Sequence, residues 1–188
     1  MLSVGLIVEG IYDEAALTEF VRKCLSPEVR VICRQCGGAP QLMRKFPGFL
    51  KEFEDVNAGV PVDKAIVVRD ADHKIPEDLI SRMQSKIGGR NYPFPKHLLV
   101  IVQALEAWLL ADEIALSSVT NISQHRVPYP ERIFDPKAKL RSILSDARGA
   151  QSVYTHEVAR KIAAAARTEI LAARCPSFRK FQEAVVNT

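Results

Sequence analysis

Several common functional signatures are missing from this chain. No apolar run approaches the ~20 residues that a membrane-crossing helix needs, so a membrane span is not expected. There is no Gly-x-Gly-x-x-Gly and no Gly-x-x-x-x-Gly-Lys-Ser/Thr, which sets aside a dinucleotide fingerprint and a P-loop. Cysteine is scarce: Cys24, Cys33, Cys36 and Cys175 are the four in 188 residues. Cys33 and Cys36 form a Cys-x-x-Cys, but no second such pair and no His-x-x-x-His exists to complete a zinc site. Cys33 also ends an apolar run instead of opening a helix, which argues against a thioredoxin-like redox pair. The start, Met1-Leu2-Ser3-Val4, carries no basic segment and reads as a first strand instead of a signal peptide. The expected location is cytoplasmic.

What remains is a chain of ordinary apolar content, 47%, long enough for one domain with an appendage. Its charge is unevenly placed. Residues 1–123 hold 14 Lys/Arg against 16 Asp/Glu, a balance of −2, and residues 124–188 hold 12 against 6, a balance of +6. An acidic half beside a basic half fits a cation site next to a phosphate-binding surface, and equally fits a set of solvated helix faces.

Apolar runs rich in β-branched residues predict strands at 2–8, 29–33, 64–69 and 97–103. Helical spacing follows each of them. Leu17, Phe20, Val21 and Cys24 mark the first helix, and Trp108 the start of the fourth. Leu42, Phe46, Phe49, Leu50 and Phe53 line the second, which Pro47-Gly48 is expected to kink or split. Residues 113–135 read as an irregular excursion, and beyond them the chain is all helix. The alternation predicts an α/β fold with a mostly parallel, Rossmann-like, four-stranded sheet flanked by helices. Residues 1–123 form the α/β domain, and residues 124–188 a helical C-terminal extension packed on the same core.

Two acidic clusters stand where strands stop: Leu6-Ile7-Val8-Glu9-Gly10 and Val68-Arg69-Asp70-Ala71-Asp72. Ligands of parallel sheets bind outside the carboxyl ends of the strands, so Glu9, Asp70 and Asp72 are expected at one edge. Crowded carboxylates repel unless they share a proton or a cation, and Mg²⁺ or Mn²⁺ takes oxygen ligands of this kind. In an extended segment Asp70 and Asp72 would share a face. Glu106 follows the fourth strand and either completes a second cation site or favours a helix dipole. Asp13 and Glu14 read mainly as helix-capping residues, and Asp112 as the close of a helix. Arg34 with the Gly37-Gly38 turn before a helix, and His73-Lys74 after the second acidic cluster, are candidate phosphate contacts. Trp108 is expected in the core.

Glu-Gly after strand one and Asp-x-Asp after strand three resemble the TOPRIM signature, found in topoisomerases, primases, recombination proteins and OLD-type nucleases. Val8-Glu9-Gly10, Arg69-Asp70-Ala71-Asp72, Glu106 to Asp112, Asp135-Pro136-Lys137 and Cys175 to Phe181 are together similar to a family of small bacterial TOPRIM-like proteins. The resemblance implies that Glu9, Asp70 and Asp72 hold Mg²⁺ for phosphodiester chemistry on nucleic acid, with Glu106 assisting or Glu9 serving as general acid/base. It implies a nuclease or phosphoryl-transfer enzyme. This chain departs from the pattern just after Glu9-Gly10, where Ile11-Tyr12-Asp13-Glu14 replaces the expected Thr-Glu. A second reading is a non-catalytic metal-binding module for a partner protein or nucleic acid. A third, a phospho-receiver built on Asp70 and Glu9, lacks the Ser/Thr and Lys such domains use.

Overall fold

The computed structural model describes residues 1–55, 61–123, 126–147 and 153–187. Strand β1 (Ser3–Val8) leads through α1 (Ile11–Cys24) to β2 (Arg30–Gln35). Helix α2 (Ala39–Glu52), β3 (Lys64–Asp70), α3 (Pro76–Ile87) and β4 (Lys96–Ile101) follow. Among the described residues the strands form one sheet in the order β2-β1-β3-β4, every pair parallel. The chain leaves β1 to one side for β2 and returns to its other side for β3. That reversal opens a crevice at the carboxyl ends of β1 and β3, the place where open α/β sheets bind ligands.

Side chains alternate across each strand. Val4, Leu6, Val8, Ile66 and Val68 face a core shared with α1 and the C-terminal helices. Ile7, Ile32, Ala65 and Val67 face a second core under α2 and α3. Both faces are covered, which is why β1 and β3 read as continuous apolar runs. Gly5 is dictated by packing. A Cβ there would stand 2.5 Å from the Phe53 ring.

Of the two expected effects of Pro47-Gly48, the split does not occur. Helix α2 runs through Pro47, because Leu42, Phe46 and Leu50 are buried on both sides of the proline and hold the two halves on the sheet. Nor is 113–135 wholly irregular. After the single turn α4 (Glu106–Leu109), α5 spans Glu113–Thr120, and Pro130–Arg132 form a 3₁₀ turn. Asp112 opens α5 instead of closing α4, since its carboxylate accepts from Ile114 N and Ala115 N. Then come α6 (Pro136–Ser145), α7 (His156–Ala165), α8 (Thr168–Arg174) and α9 (Pro176–Val186). The boundary expected between 123 and 124 falls on residues 124 and 125, outside the described residues.

The last helices are locked to the sheet core. Trp108 is 1% exposed, with its ring edge-on to Phe178 at 5.0 Å and to Phe20 at 6.1 Å. Its Nε1–H donates to Ser177 Oγ at 2.8 Å. The buried Lys64 ammonium donates to Val185 O at 2.8 Å, with Ala184 O and Asn187 O also within reach. It therefore caps the carbonyl end of α9, where a cation is favoured.

Candidate functional site: an acidic pocket at the strand ends

The crevice is a pocket of about 480 Å³ whose lining includes Glu9, Asp13, Asp70, Asp72 and Glu106. Each acid arrives on a different piece of local structure. Glu9 follows β1, and its carbonyl accepts from both Gly37 N and Gly38 N at 2.8 Å. Gly37 and Gly38 hold φ of +91° and +102°, angles that L side chains rarely adopt. Both glycines line the pocket, and their amides are spent on the Glu9 carbonyl. Arg34, expected beside them, turns to Glu52 instead and lies over the Phe53 ring at 5.8 Å.

Asp70 ends β3 and bridges two neighbours. Its N–H donates to Glu9 Oε1 at 3.1 Å, and its Oδ1 accepts from Leu105 N at 3.1 Å. Beyond Asp70 the backbone is not extended, contrary to the expectation of a shared strand face. Asp72 and His73 have φ of +47° and +64°, and Gln103 on the facing loop has +64°. Asp72 N donates to Gln103 O at 3.0 Å, and Ala71 N to Ile101 O at 2.9 Å, which fixes this left-handed turn against the end of β4. Left-handed non-glycine residues cluster where the fold over-determines a strained backbone, commonly at functional sites. Asp72 and His73 still reach the pocket wall, whereas Lys74 is exposed outside its lining.

Asp13 caps its helix, as its sequence position suggests, by accepting from Gly10 N at 2.8 Å. The same carboxylate lines the pocket. Burial pushes its carboxyl up to about 7, with the charges of Glu9 and Glu106 adding to the shift and the Gly10 hydrogen bond opposing it. Burial also raises Asp70 well above the ordinary range, reinforced by Asp13, Glu9, Glu106 and Asp72. Burial raises Glu9 too, against the opposing hydrogen bond from Asp70. Glu106 starts α4 and is 4% exposed. Beside it lies the buried Tyr154 hydroxyl. Burial and then the Glu106 charge push that phenol far upward.

Among the described residues, the only lysine in the pocket lining is Lys137, whose ammonium sits 5.4 Å from the Tyr12 ring centre. Of the basic tail residues, Arg160 pairs with Glu19 and Glu157, and Lys180 lines a separate groove between α3 and β4. Lys137 belongs to the basic half expected beside the cation site, and it lines the pocket. Asp13, Tyr154 and the rim residue Phe134 were not singled out for the site from sequence. Asp13 carried a signal, one helical turn past Glu9, but capping explained it. Tyr154 and Phe134 carried none.

The donor set is all carboxylate, which suits a hard divalent cation. Among the described residues, no three His, Cys, Asp or Glu side chains stand together in a ready metal cluster. Glu9, Asp13 and Asp70 each spend an oxygen on a backbone N–H instead. The cysteines stay outside this chemistry. All four are free, and burial pushes Cys36 to about 11 and Cys33 further, away from the thiolate that redox or metal chemistry needs.

The family model described as "Domain of unknown function (DUF4276)" matches residues 8–185. Among solved structures, the "C-terminal region of the Burkholderia pseudomallei OLD protein" is similar in fold. The TM-score is 0.54 at 14% identity, over 98% of this chain and 97% of that one. No curated protein matches the sequence.

Proposed function

The chain belongs to the DUF4276 family, and on that premise we propose that it is a TOPRIM-like, Mg²⁺- or Mn²⁺-dependent phosphodiesterase acting on nucleic acid. The observation that carries the reading is the convergence of Glu9, Asp13, Asp70, Asp72 and Glu106 on one pocket with Lys137 as the single lysine of its lining among the described residues. So much like charge at a switch-point crevice is unfavourable for folding alone, and a divalent ion relieves it. The Glu-Gly and Asp-x-Asp placement and the fold shared with the OLD C-terminal region support the same conclusion.

In this reading Glu9, Asp70 and Asp72 hold the ion, with Glu106 or Asp13 available for a second. A bound divalent ion would supply Lewis-acid neutralisation of phosphate charge. The protein's own groups do the rest. Glu9, raised above the ordinary carboxylate range by burial, would alternatively serve as the general acid/base in place of an ion ligand. Lys137 lines the same pocket and would pair with a phosphate oxygen there. His73, also in the pocket wall, would contact the substrate's phosphate or its leaving group.

The test is cleavage of single- and double-stranded DNA and RNA with Mg²⁺ or Mn²⁺, comparing the parent with Asp70→Asn. Metal-dependent cleavage by the parent and none by the variant is expected. Metal binding without turnover on any of these substrates would leave the chain a non-catalytic module.

A further inference from the structure

Phe134 is 74% exposed at the mouth of the acidic pocket. Its ring lies parallel to the His73 imidazole, with centroids 4.2 Å apart and planes inclined by 14°. An exposed phenyl group on a soluble protein needs no special account when it stands alone. This one does not stand alone. One face rests on a side chain held by the left-handed turn at Asp72 and His73, so the exposed area belongs to the other face. The ring is anchored from its own side as well. The next residue, Asp135, caps α6 by accepting from Ala138 N at 2.8 Å, and Pro136 then fixes the first helical turn. A two-ring stack fixed at both ends, with an open face beside a carboxylate pocket, is a preformed stacking platform.

The same pocket wall contains an unused hydrogen-bonding atom. Gln103 Oε1 is buried and has no partner among the described residues. Buried acceptors are seldom left unpaired unless a ligand or water meets them. A flat apolar face, a nearby unpaired acceptor and a site suited to phosphate-bound cations together match one chemistry, that of a nucleotide unit. Resting on the phosphodiesterase reading above, we propose that Phe134, backed by His73, stacks an unpaired nucleobase next to the phosphate held in the pocket. The substrate class is then a single strand, or a strand end whose terminal base is splayed out. A base inside a duplex has both faces covered by its neighbours and cannot extend this stack.

The test is binding, not turnover. Fluorescence anisotropy with Ca²⁺ in place of Mg²⁺ compares a short thymidine strand, an abasic strand with the same number of phosphates, and a blunt duplex. The parent should bind the base-bearing strand more tightly than the abasic one. Phe134→Ala should weaken binding to the base-bearing strand roughly five- to a hundredfold, the range that loss of one base–aromatic stack gives, and leave the abasic strand unaffected. Phe134→Trp should retain the preference. Thermal melting of both variants should match the parent, since the side chain is exposed. Equal loss on all three ligands would place Phe134 against the sugar-phosphate backbone and overturn the stacking role. Equal parent affinity for base-bearing and abasic strands would overturn it too, with the phosphodiesterase reading untouched. Failure of the parent to bind any strand would remove both.

Discussion

The backbone N–H of Asp70 donates to Glu9 Oε1 at 3.1 Å. One proposed metal ligand thus ties its own strand end to the strand end that carries another. Their side chains repel, and Asp70 is held well above the ordinary carboxylate range by burial and by its acidic neighbours. The carboxyl ends of β1 and β3 are therefore joined by a hydrogen bond and strained by charge at the same point. Removing charge and removing the hydrogen bond should have opposite effects.

Asp70→Asn relieves the repulsion and leaves Asp70's backbone N–H donating to Glu9. Without divalent ions its melting temperature should equal or exceed the parent's. Glu9→Ala removes the acceptor and should cost about 1 kcal/mol, the usual worth of such a bond, offset in part by the lost repulsion. Millimolar Mg²⁺ or Mn²⁺ should raise the parent's melting temperature, as any ligand specific to the native state does, and raise the Asp70→Asn variant's little or not at all. A metal shift equally large in Asp70→Asn would exclude Asp70 as a ligand.

The pH dependence of the metal-free protein follows from the same crowding. Asp13 titrates at about 7 against an ordinary value of 3.8, and Glu9 and Asp70 move in the same direction. Carboxyls raised on folding take up protons, so their contribution is fully present below the unfolded pKa and is lost as pH rises through the folded one. In EDTA, stability should fall between about pH 4 and 7, by up to roughly 4 kcal/mol from Asp13 alone at about 1.4 kcal/mol per pKa unit. Asp13→Asn should flatten that slope, and so should Mg²⁺. Urea unfolding across the range measures it. A profile that rises toward pH 8 in EDTA would show that the acids are well solvated.

The strands and their order of appearance were legible because both faces of the sheet are covered, which writes β1 and β3 as unbroken apolar runs. The acidic edge was legible because parallel sheets place strand ends together. What stayed hidden depended on tertiary contact. Arg34 looked free for phosphate until Glu52, eighteen residues on, took it. Pro47 looked like a break because a local rule cannot weigh the buried Leu42, Phe46 and Leu50 on either side. Asp72 looked extended, but hydrogen bonds to the end of β4 turn the chain left-handed. Asp112 read as the end of one helix although its cap of α5 is local; only its ion pair with Arg167, 55 residues away, was out of sight. Phe134 and His73 are 61 positions apart and meet only in space.

Trp108→Ala should destabilise by roughly 3–5 kcal/mol, as large core truncations do. The ring is packed against Phe20, Phe178 and Phe181, so it joins α1, α4 and α9. Trp108→Phe should cost less. It fills most of the space but leaves Ser177 Oγ without the indole N–H. Chemical denaturation of both variants, read alongside nucleic-acid binding, separates core packing from any contact with substrate. Unchanged stability with lost binding would move Trp108 from core to site.

The Asp112–Arg167 pair predicts a second pH effect of opposite sign. Asp112 is 1% exposed, and its two oxygens accept from Ile114 N, Ala115 N and Arg167 N, and from the Arg167 guanidinium at 2.7 and 2.9 Å. Burial alone would raise its carboxyl, but these donors outweigh it and hold the group at about 2. A carboxylate depressed on folding contributes stability that is present above its unfolded pKa and lost as pH falls through the folded one. The parent should therefore lose this contribution between about pH 4 and 2. Asp112→Ala removes both the cap of α5 and the ion pair, and should cost roughly 2 kcal/mol or more at neutral pH. Asp112→Asn keeps one acceptor oxygen and should cost less. Solvent around the half-exposed Arg167 screens part of the ionic contribution, so the buried backbone donors carry much of the difference. Asp112→Asn should approach the parent as pH falls toward 2, where the parent's own carboxylate is about half protonated, while Asp112→Ala stays below both because it has no acceptor oxygen. Urea midpoints at pH 7, 4 and 2.5 measure that convergence. A gap that stays constant across all three would mean that Asp112 acts by shape alone.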